Sequence, residues 1–227
     1  VAESQGVSKE AQDEWGVRSQ NRAESAQSRG FFEREITPYT LADGTVVSSD
    51  DGIRAGTTYE KGSQLQPVFR ENGTVTAGNA CPLNDGAAAV IVMSDTRAAE
   101  LGLTPIAKII SSGVSALNPE IMGLGPVDAI KQALGRANMT PDDIDLFEIN
   151  EAFAAQVLPS AEQVGIDLEK LNINGGAIAL GHPFGMTGAR IMTTLLNGLE
   201  DTDKEFGVES MCVGGGQGMA MVVQRLN

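Results

Sequence analysis

The sequence predicts an α/β fold, a layered unit around a mixed sheet, preceded by a more polar segment led by a helix. Three observations lead there. After residue 83, short apolar runs alternate with stretches of helical periodicity, the order that buries a sheet between helices. The last two apolar runs follow one another with no helix between them, so the sheet cannot be built from strand–helix–strand units alone. The first third has few long apolar runs and reads as an excursion from the core.

Taken in order, residues 8–28 read as a helix ending at Gly30, with Ala11, Trp15, Ala23 and Ala26 near one stripe. Residues 40–61 are polar and irregular, with Asp43-Gly44 and Asp51-Gly52 as turn signals, and Asn72-Gly73 marks another turn. Residues 87–93 form a continuous apolar run expected to be a strand, followed by a short helix over 95–101. A strand is expected over 105–114. The next helix opens at Gly125-Pro126, with proline in the first turn, and ends near Asn138. A strand over 144–149 leads to a helix over 151–164 that has to accommodate Pro159. A short strand at 171–173, a glycine-rich loop, a helix over 187–199 and strands over 208–213 and 218–226 complete the chain.

The 227 residues suffice for one large domain or two modest ones, and 41% hydrophobic residues can bury a real core. Thirty acidic against sixteen basic residues leave a net charge of -14, which repels phosphate and argues against nucleic acid or anionic membrane as partners. No run reaches the ~18 apolar residues of a membrane span, and Val1-Ala2-Glu3-Ser4-Gln5 has none of the marks of a secretory signal. With the two cysteines, Cys81 and Cys212, far apart and His182 the one histidine, no zinc-ligand spacing exists. A cysteine-poor acidic chain fits a reducing cytoplasm.

Four places invite chemistry. The stretch from Asn172 to Arg190 carries glycines at 175, 176, 181, 185 and 188 around His182 and feeds a helix start. The positive end of a helix disfavours imidazolium, so His182 reads either as a neutral base or as a structural histidine in a tight turn. Cys212 ends a strand that runs into Gly214-Gly215-Gly216-Gln217-Gly218, and reads as a base or nucleophile beside free amides, or as a small core residue. That glycine run is no dinucleotide loop, because strand and not helix follows it. Asn150 reads as a helix N-cap between strand and helix. Cys81 lies in a bend, Asn79-Ala80-Cys81-Pro82, where packing alone explains a thiol. The Asp142-Asp143-Ile144-Asp145 run lacks the spacing of a calcium loop.

Four blocks, in order, resemble the thiolase family: Gly73-Thr74-Val75-Thr76-Ala77-Gly78-Asn79 with Asn84-Asp85-Gly86-Ala87-Ala88; Asn150-Glu151-Ala152-Phe153-Ala154; Gly175-Gly176-Ala177-Ile178-Ala179-Leu180-Gly181-His182-Pro183; and Cys212-Val213-Gly214-Gly215-Gly216-Gln217-Gly218. The resemblance runs from end to end of the chain. It implies a thiolase-like layered αβα half with a mixed sheet over 84–227, preceded over 1–83 by part of a helix-rich loop domain that binds CoA. It further implies reversible acyl transfer, in which acyl-CoA condenses with acetyl-CoA or a 3-ketoacyl-CoA is cleaved by CoA. Coenzyme A is then substrate and product, and neither a cofactor nor a metal is needed. His182 resembles the histidine that activates a nucleophilic cysteine. With a water held by Asn150, it also polarises the thioester oxygen. Cys212 resembles the second cysteine, the acid/base at the α-carbon, and the Gly214 amide resembles half of an oxyanion hole. Arg54 resembles the arginine beside the CoA nucleotide, while Ala77, Cys81, Met122 and Phe153 fall where the family lines its pantetheine and acyl pocket.

The departures are equally specific. The family's nucleophilic cysteine belongs to a first half that has no counterpart here, and Cys81-Pro82 stands where the family has serine and glycine. The expected partner is therefore that missing half, on the same or a separate chain, within a homodimer or homotetramer. The other reading is a catalytically inactive CoA-binding or scaffold fragment.

Overall fold

The computed structural model describes residues 1–226. A one-turn helix α1 (Ala2–Gln5) is followed by α2 (Lys9–Ser28), where the Ser8 hydroxyl accepts from the Ala11 amide as N-cap and Gly30 leaves the helix at φ 78°. Trp15, Ala23 and Ala26 are buried, as their spacing predicts, but so are Gln12, Asp13, Ser19 and Gln20. The inward face of α2 is thus half polar, and those polar groups organise the loops packed against it. Two short strands, β1 (Tyr39–Thr40) and β2 (Val46–Val47), pair around the expected Asp43-Gly44 turn, and α3 (Tyr59–Gly62) follows.

Residues 87–93, expected to be a strand, form none. They join no ladder, and Val90, Ile91, Val92 and Met93 are exposed, Ile91 at 86%. A strand exists only with a hydrogen-bonded neighbour, and no described segment lies beside this one to complete its backbone bonds. The short helix α4 (Asp95–Glu100) follows, with Ser94 as its N-cap.

From β3 (Ala107–Ala116) onward the expected alternation holds through α5 (Gly125–Ala137), β4 (Leu146–Ile149), α6 (Ala154–Val164), α7 (Ala177–Leu180), α8 (Thr187–Asp201), β5 (Phe206–Val213) and β6 (Gln217–Arg225). The sheet runs β3-β6-β5-β4, antiparallel at its first two contacts and parallel between β5 and β4, so it is mixed as predicted. Strand residues alternate between two cores, as the period of two requires. Phe147, Ile149, Val208 and Val222 pack with Ile130, Leu134, Val157 and Trp15 under α5, α6 and α2. Leu146 and Val223 pack with Met192, Leu195 and Leu199 of α8 on the other face. At β3 the exposure of Ile109 and Val114 marks an open edge. Gly125 and Gly218 let the start of α5 cross β6 closely, since a Cβ on Gly218 would stand 2.0 Å from the Gly125 carbonyl oxygen.

The short strand expected at 171–173 is a single parallel bridge between Phe147 and Leu171. At the next residue Asn172 turns into the left-handed region, φ 48°, and its side chain replaces the ladder. The Asn172 amide accepts from the Ile149 N–H and donates to the Ile149 carbonyl, both at 2.9 Å. An asparagine that satisfies a strand end through its side chain stops the strand it sits in.

Candidate active site

His182 follows α7 in the glycine-rich loop. Gly181 turns the chain at φ 91°, and a Cβ there would stand 2.2 Å from the Asn84 side-chain nitrogen, so glycine is required on both counts. The His182 amide donates to Asn84 Oδ1 at 3.0 Å, which joins the first of the four blocks to the third. The imidazole Nδ1 lies 2.6 Å from Thr187 Oγ1, at the first residue of α8, and the ring leans on Phe184 with centroids 4.9 Å apart. Burial, with a further push from the Arg190 charge, holds His182 below the ordinary imidazole value. A neutral imidazole is common to both readings of His182, as base and as structural histidine.

Asn150 directly follows β4, and Cys212 is the last residue but one of its parallel neighbour β5. Ile149 pairs with Ser210, and the Asn150 amide donates to the Ser210 carbonyl at 2.9 Å. Asn150 is not the N-cap its place in the sequence suggested. α6 begins at Ala154 with Phe153 as its cap residue, because residues 150–153 first run on beside residues 79–81. The Asn150 side chain is 1% exposed, and neither its oxygen nor its nitrogen has a protein partner. A buried amide that makes no bonds costs free energy, so a bound group or water is what such an amide is built to meet.

Cys212 is buried, and burial together with the neighbouring Cys81 pushes its thiol up. Cys81 is half-buried, its thiol also raised by burial, and its amide donates to the Ala152 carbonyl at 3.1 Å. Both cysteines are free thiols. Beyond Cys212 the chain reverses through Gly214, Gly215 and Gly216, the last two at φ 84° and 88°, and returns as β6. The glycine run is a hairpin, as the rejection of a dinucleotide loop required. Phe153 packs edge-to-face on Phe69 at 5.9 Å, and Met122 is half-buried in the turn before α5. Ala77 and Arg54 are exposed; the Arg54 amide is anchored by Gln20 Oε1 at 2.8 Å. Met211, next to Cys212, comes within 3.7 Å of a Cβ position on Gly188, so the start of α8 and the end of β5 adjoin.

Several residues that carried no role in the sequence reading turn out to hold the site together. Glu151 is fully buried and accepts from Trp15 Nε1 at 3.1 Å, Ser19 Oγ at 2.6 Å, Asn172 Nδ2 at 2.9 Å and the Ile178 amide at 3.2 Å. Gly176 leaves room for it, because a Cβ there would stand 2.3 Å from its carboxyl carbon. Burial raises its pKa against the pull of those donors. A glutamate placed directly after a strand end, with tryptophan and serine four residues apart on one helix face, was the available signal. On the α8 face, Arg190 has three buried guanidinium nitrogens without hydrogen-bond partners. Glu148 and Glu209, register neighbours on β4 and β5, lie within reach of its charge. Burial lifts Glu148 well above the usual range and Glu209 to about 8. Among the described residues, no group of three or more His, Cys, Asp or Glu side chains is placed to hold a metal ion. No helix among them is long and apolar enough to cross a membrane.

The unit around β3-β6-β5-β4 thus carries a buried asparagine without a side-chain partner, a buried thiol and a half-buried imidazole. The model of the thiolase C-terminal domain matches residues 103–225, and that of the thiolase N-terminal domain matches residues 1–96. The chain belongs to the thiolase family. It is 51% identical to an acetyl-CoA acetyltransferase of Cupriavidus necator, over 99% of this chain and 58% of that one. It is 54% identical to a 3-ketoacyl-CoA thiolase of Cronobacter sakazakii, over 97% of this chain and 59% of that one. The crystal structure of the Bacillus anthracis acetyl-CoA acetyltransferase superposes with a TM-score of 0.96 at 43% identity, covering 99% of this chain and 58% of that one. Human mitochondrial 3-ketoacyl-CoA thiolase in complex with CoA gives 0.93 at 41% identity, covering 99% and 57%. The chain therefore spans a little under three-fifths of the length of these relatives.

Proposed function

We propose that this chain supplies the second half of the active site of an acyl-CoA C-acyltransferase of the thiolase type. The reaction condenses an acyl-CoA with acetyl-CoA, or runs in reverse as CoA-dependent cleavage of a 3-ketoacyl-CoA. The observation that carries the reading is the buried, unpartnered Asn150 side-chain amide just past β4, next to the strand β5 that carries Cys212. The acyl carrier is a cysteine thiol of the first half, among the residues that the relatives have beyond this span. His182 takes its proton, the thiolate attacks the thioester carbonyl, and CoA leaves as the proton is returned. Asn150, through a water, and His182 donate to the oxygen that gains charge. In condensation Cys212 as the thiolate takes the α-proton of acetyl-CoA. The carbanion attacks the acyl-enzyme, forming the C–C bond as the enzyme C–S bond breaks, and the thiolate so released takes the proton over from Cys212. In cleavage the same thiol returns the proton, a role suited to a group that burial keeps protonated. Gly214 contributes an amide to the second oxyanion hole. Arg54 meets the CoA nucleotide, and Ala77, Cys81, Met122 and Phe153 line the path of pantetheine and acyl group. Residues 1–83 act as part of the CoA-binding loop domain and 84–227 as the catalytic half, within a homodimer or homotetramer in the cytoplasm.

The test separates two roles in an assembly with the first half. His182→Ala slows acylation by labelled acetyl-CoA in rapid quench by about 10²–10⁴-fold, the usual cost of losing a positioned acid/base. Cys212→Ala leaves acylation intact and stops deuterium wash-in at the acetyl-CoA methyl group. Wash-in at the unmodified rate in Cys212→Ala refutes the role given to that thiol.

A further inference from the structure

We infer that Thr187 is a positioning residue that fixes the tautomer of His182, holding the proton on Nδ1 and leaving the Nε2 lone pair for the substrate side. The inference rests on the function proposed above only for what Nε2 does, and not for where the proton sits.

The geometry is a short relay. Thr187 is fully buried, and its Oγ1 lies 2.6 Å from His182 Nδ1 and 3.0 Å from the Pro183 carbonyl oxygen. A hydroxyl has one proton, and a carbonyl oxygen only accepts. If the hydroxyl proton points to Pro183, Oγ1 presents a lone pair to the ring, and Nδ1 has to be the donor. Both contacts are then hydrogen bonds. If the proton points to the ring instead, Nδ1 is the acceptor and the contact with Pro183 is lost. The Pro183 oxygen keeps the amides of Met186 and Thr187 at 2.9 and 3.1 Å in either case, so the choice turns on the hydroxyl alone. The first arrangement makes one more bond at a fully buried hydroxyl, where an unmade polar contact is costly. The start of α8 supports the same order, because its backbone is fixed by those two amides and sets where Oγ1 stands.

Catalysis needs that order. A base whose lone pair sits on Nδ1 would face Thr187 and α8, and the ring edge turned away from them would carry only a proton. The hydrogen bond on one ring nitrogen decides which state the other offers. Thr187 therefore acts on the reaction through His182, without touching substrate.

The single histidine makes the test direct. With the chain labelled by 15N-histidine, magic-angle-spinning NMR above the imidazole pKa reads both ring nitrogens, whether or not the chain self-associates. The expected spectrum has Nδ1 protonated and Nε2 bare, in an excess of roughly five-fold or more, the worth of one extra hydrogen bond. Thr187→Val should shift the population toward Nε2–H, and Thr187→Ser should restore it. Nε2–H as the main form of the unmodified chain overturns the proposal, as does an unchanged ratio in Thr187→Val. The unmodified spectrum decides by itself if Thr187→Val does not fold. In the assembly with the first half, Thr187→Val should lower kcat with KM little changed. If the tautomer is as stated but His182→Ala acylates normally, the catalytic reading fails and the positioning of the ring stands.

Discussion

Asn150 and Glu151 are adjacent, both fully buried and polar, yet they do opposite things. Glu151 accepts from four donors and ties α2 to the loop that carries His182, whereas the side-chain amide of Asn150 bonds to nothing in the protein. Asn150→Ala should therefore cost little stability, within about 1 kcal/mol, because no protein hydrogen bond is lost. In the assembled enzyme it should lower kcat about 10²–10³-fold, as loss of one oxyanion donor does. Urea midpoints and turnover measured on the same variant check the pair of effects. A large stability loss with normal turnover would make Asn150 structural. From the residues alone Asn150 read as an N-cap, its water-holding role came only from the family resemblance, and Glu151 carried no role at all. Whether a polar side chain is satisfied depends on Trp15 and Ser19, which stand more than 130 residues earlier.

At the scale of elements, periodicity was a good guide wherever a strand or helix had its neighbour within the chain. β5, β6, α5 and α8 came out within a few residues of expectation. It failed at residues 87–93 and at Leu171, where partners and not propensity decide. Polar residues at inward positions of neighbouring strands were equally illegible. Glu148 and Glu209 face each other across β4 and β5, and a strand register is needed to see it. Their carboxyl pKa values are raised by burial, Glu209 from 4.5 to about 8, so the folded chain holds protons that the unfolded chain has already lost. The Glu209 contribution is whole below about pH 4.5 and lost as the pH rises toward 8, at about 1.4 kcal/mol per pH unit, and Glu148 acts in the same direction. His182, shifted the other way, offsets part of this only as the pH crosses the ordinary imidazole range. Urea midpoints should fall between pH 5.5 and 8.5, and Glu209→Gln should flatten that decline. An equal slope in the variant would show that Glu209 is solvated.

For the whole molecule, motifs far apart in the sequence are joined in pairs, although no pairwise spacing reveals this. His182 reaches Asn84, Cys81 reaches Ala152, and Asn150 reaches Ser210 beside Cys212. The same architecture leaves apolar surface uncovered along 90–93 and at Ile106, Ile109 and Val114. Contiguous apolar patches beyond a few hundred Å2 are unusual on a monomer, at roughly 300–600 Å2 for the largest. The chain alone should accordingly self-associate, with a mass that rises with concentration in sedimentation, and addition of the first half should suppress this. A concentration-independent monomer would mean that the exposed segment needs no cover.

The central claim is that this chain holds one half of a thiolase site and that the acyl-carrying thiol lies in the other. The most direct measurement is CoA-dependent cleavage of acetoacetyl-CoA by the chain alone, by the first half alone, and by the two combined. The account predicts turnover only in the combination, abolished by His182→Ala in this chain. Turnover by this chain alone, or a stable combined assembly with none, would contradict it.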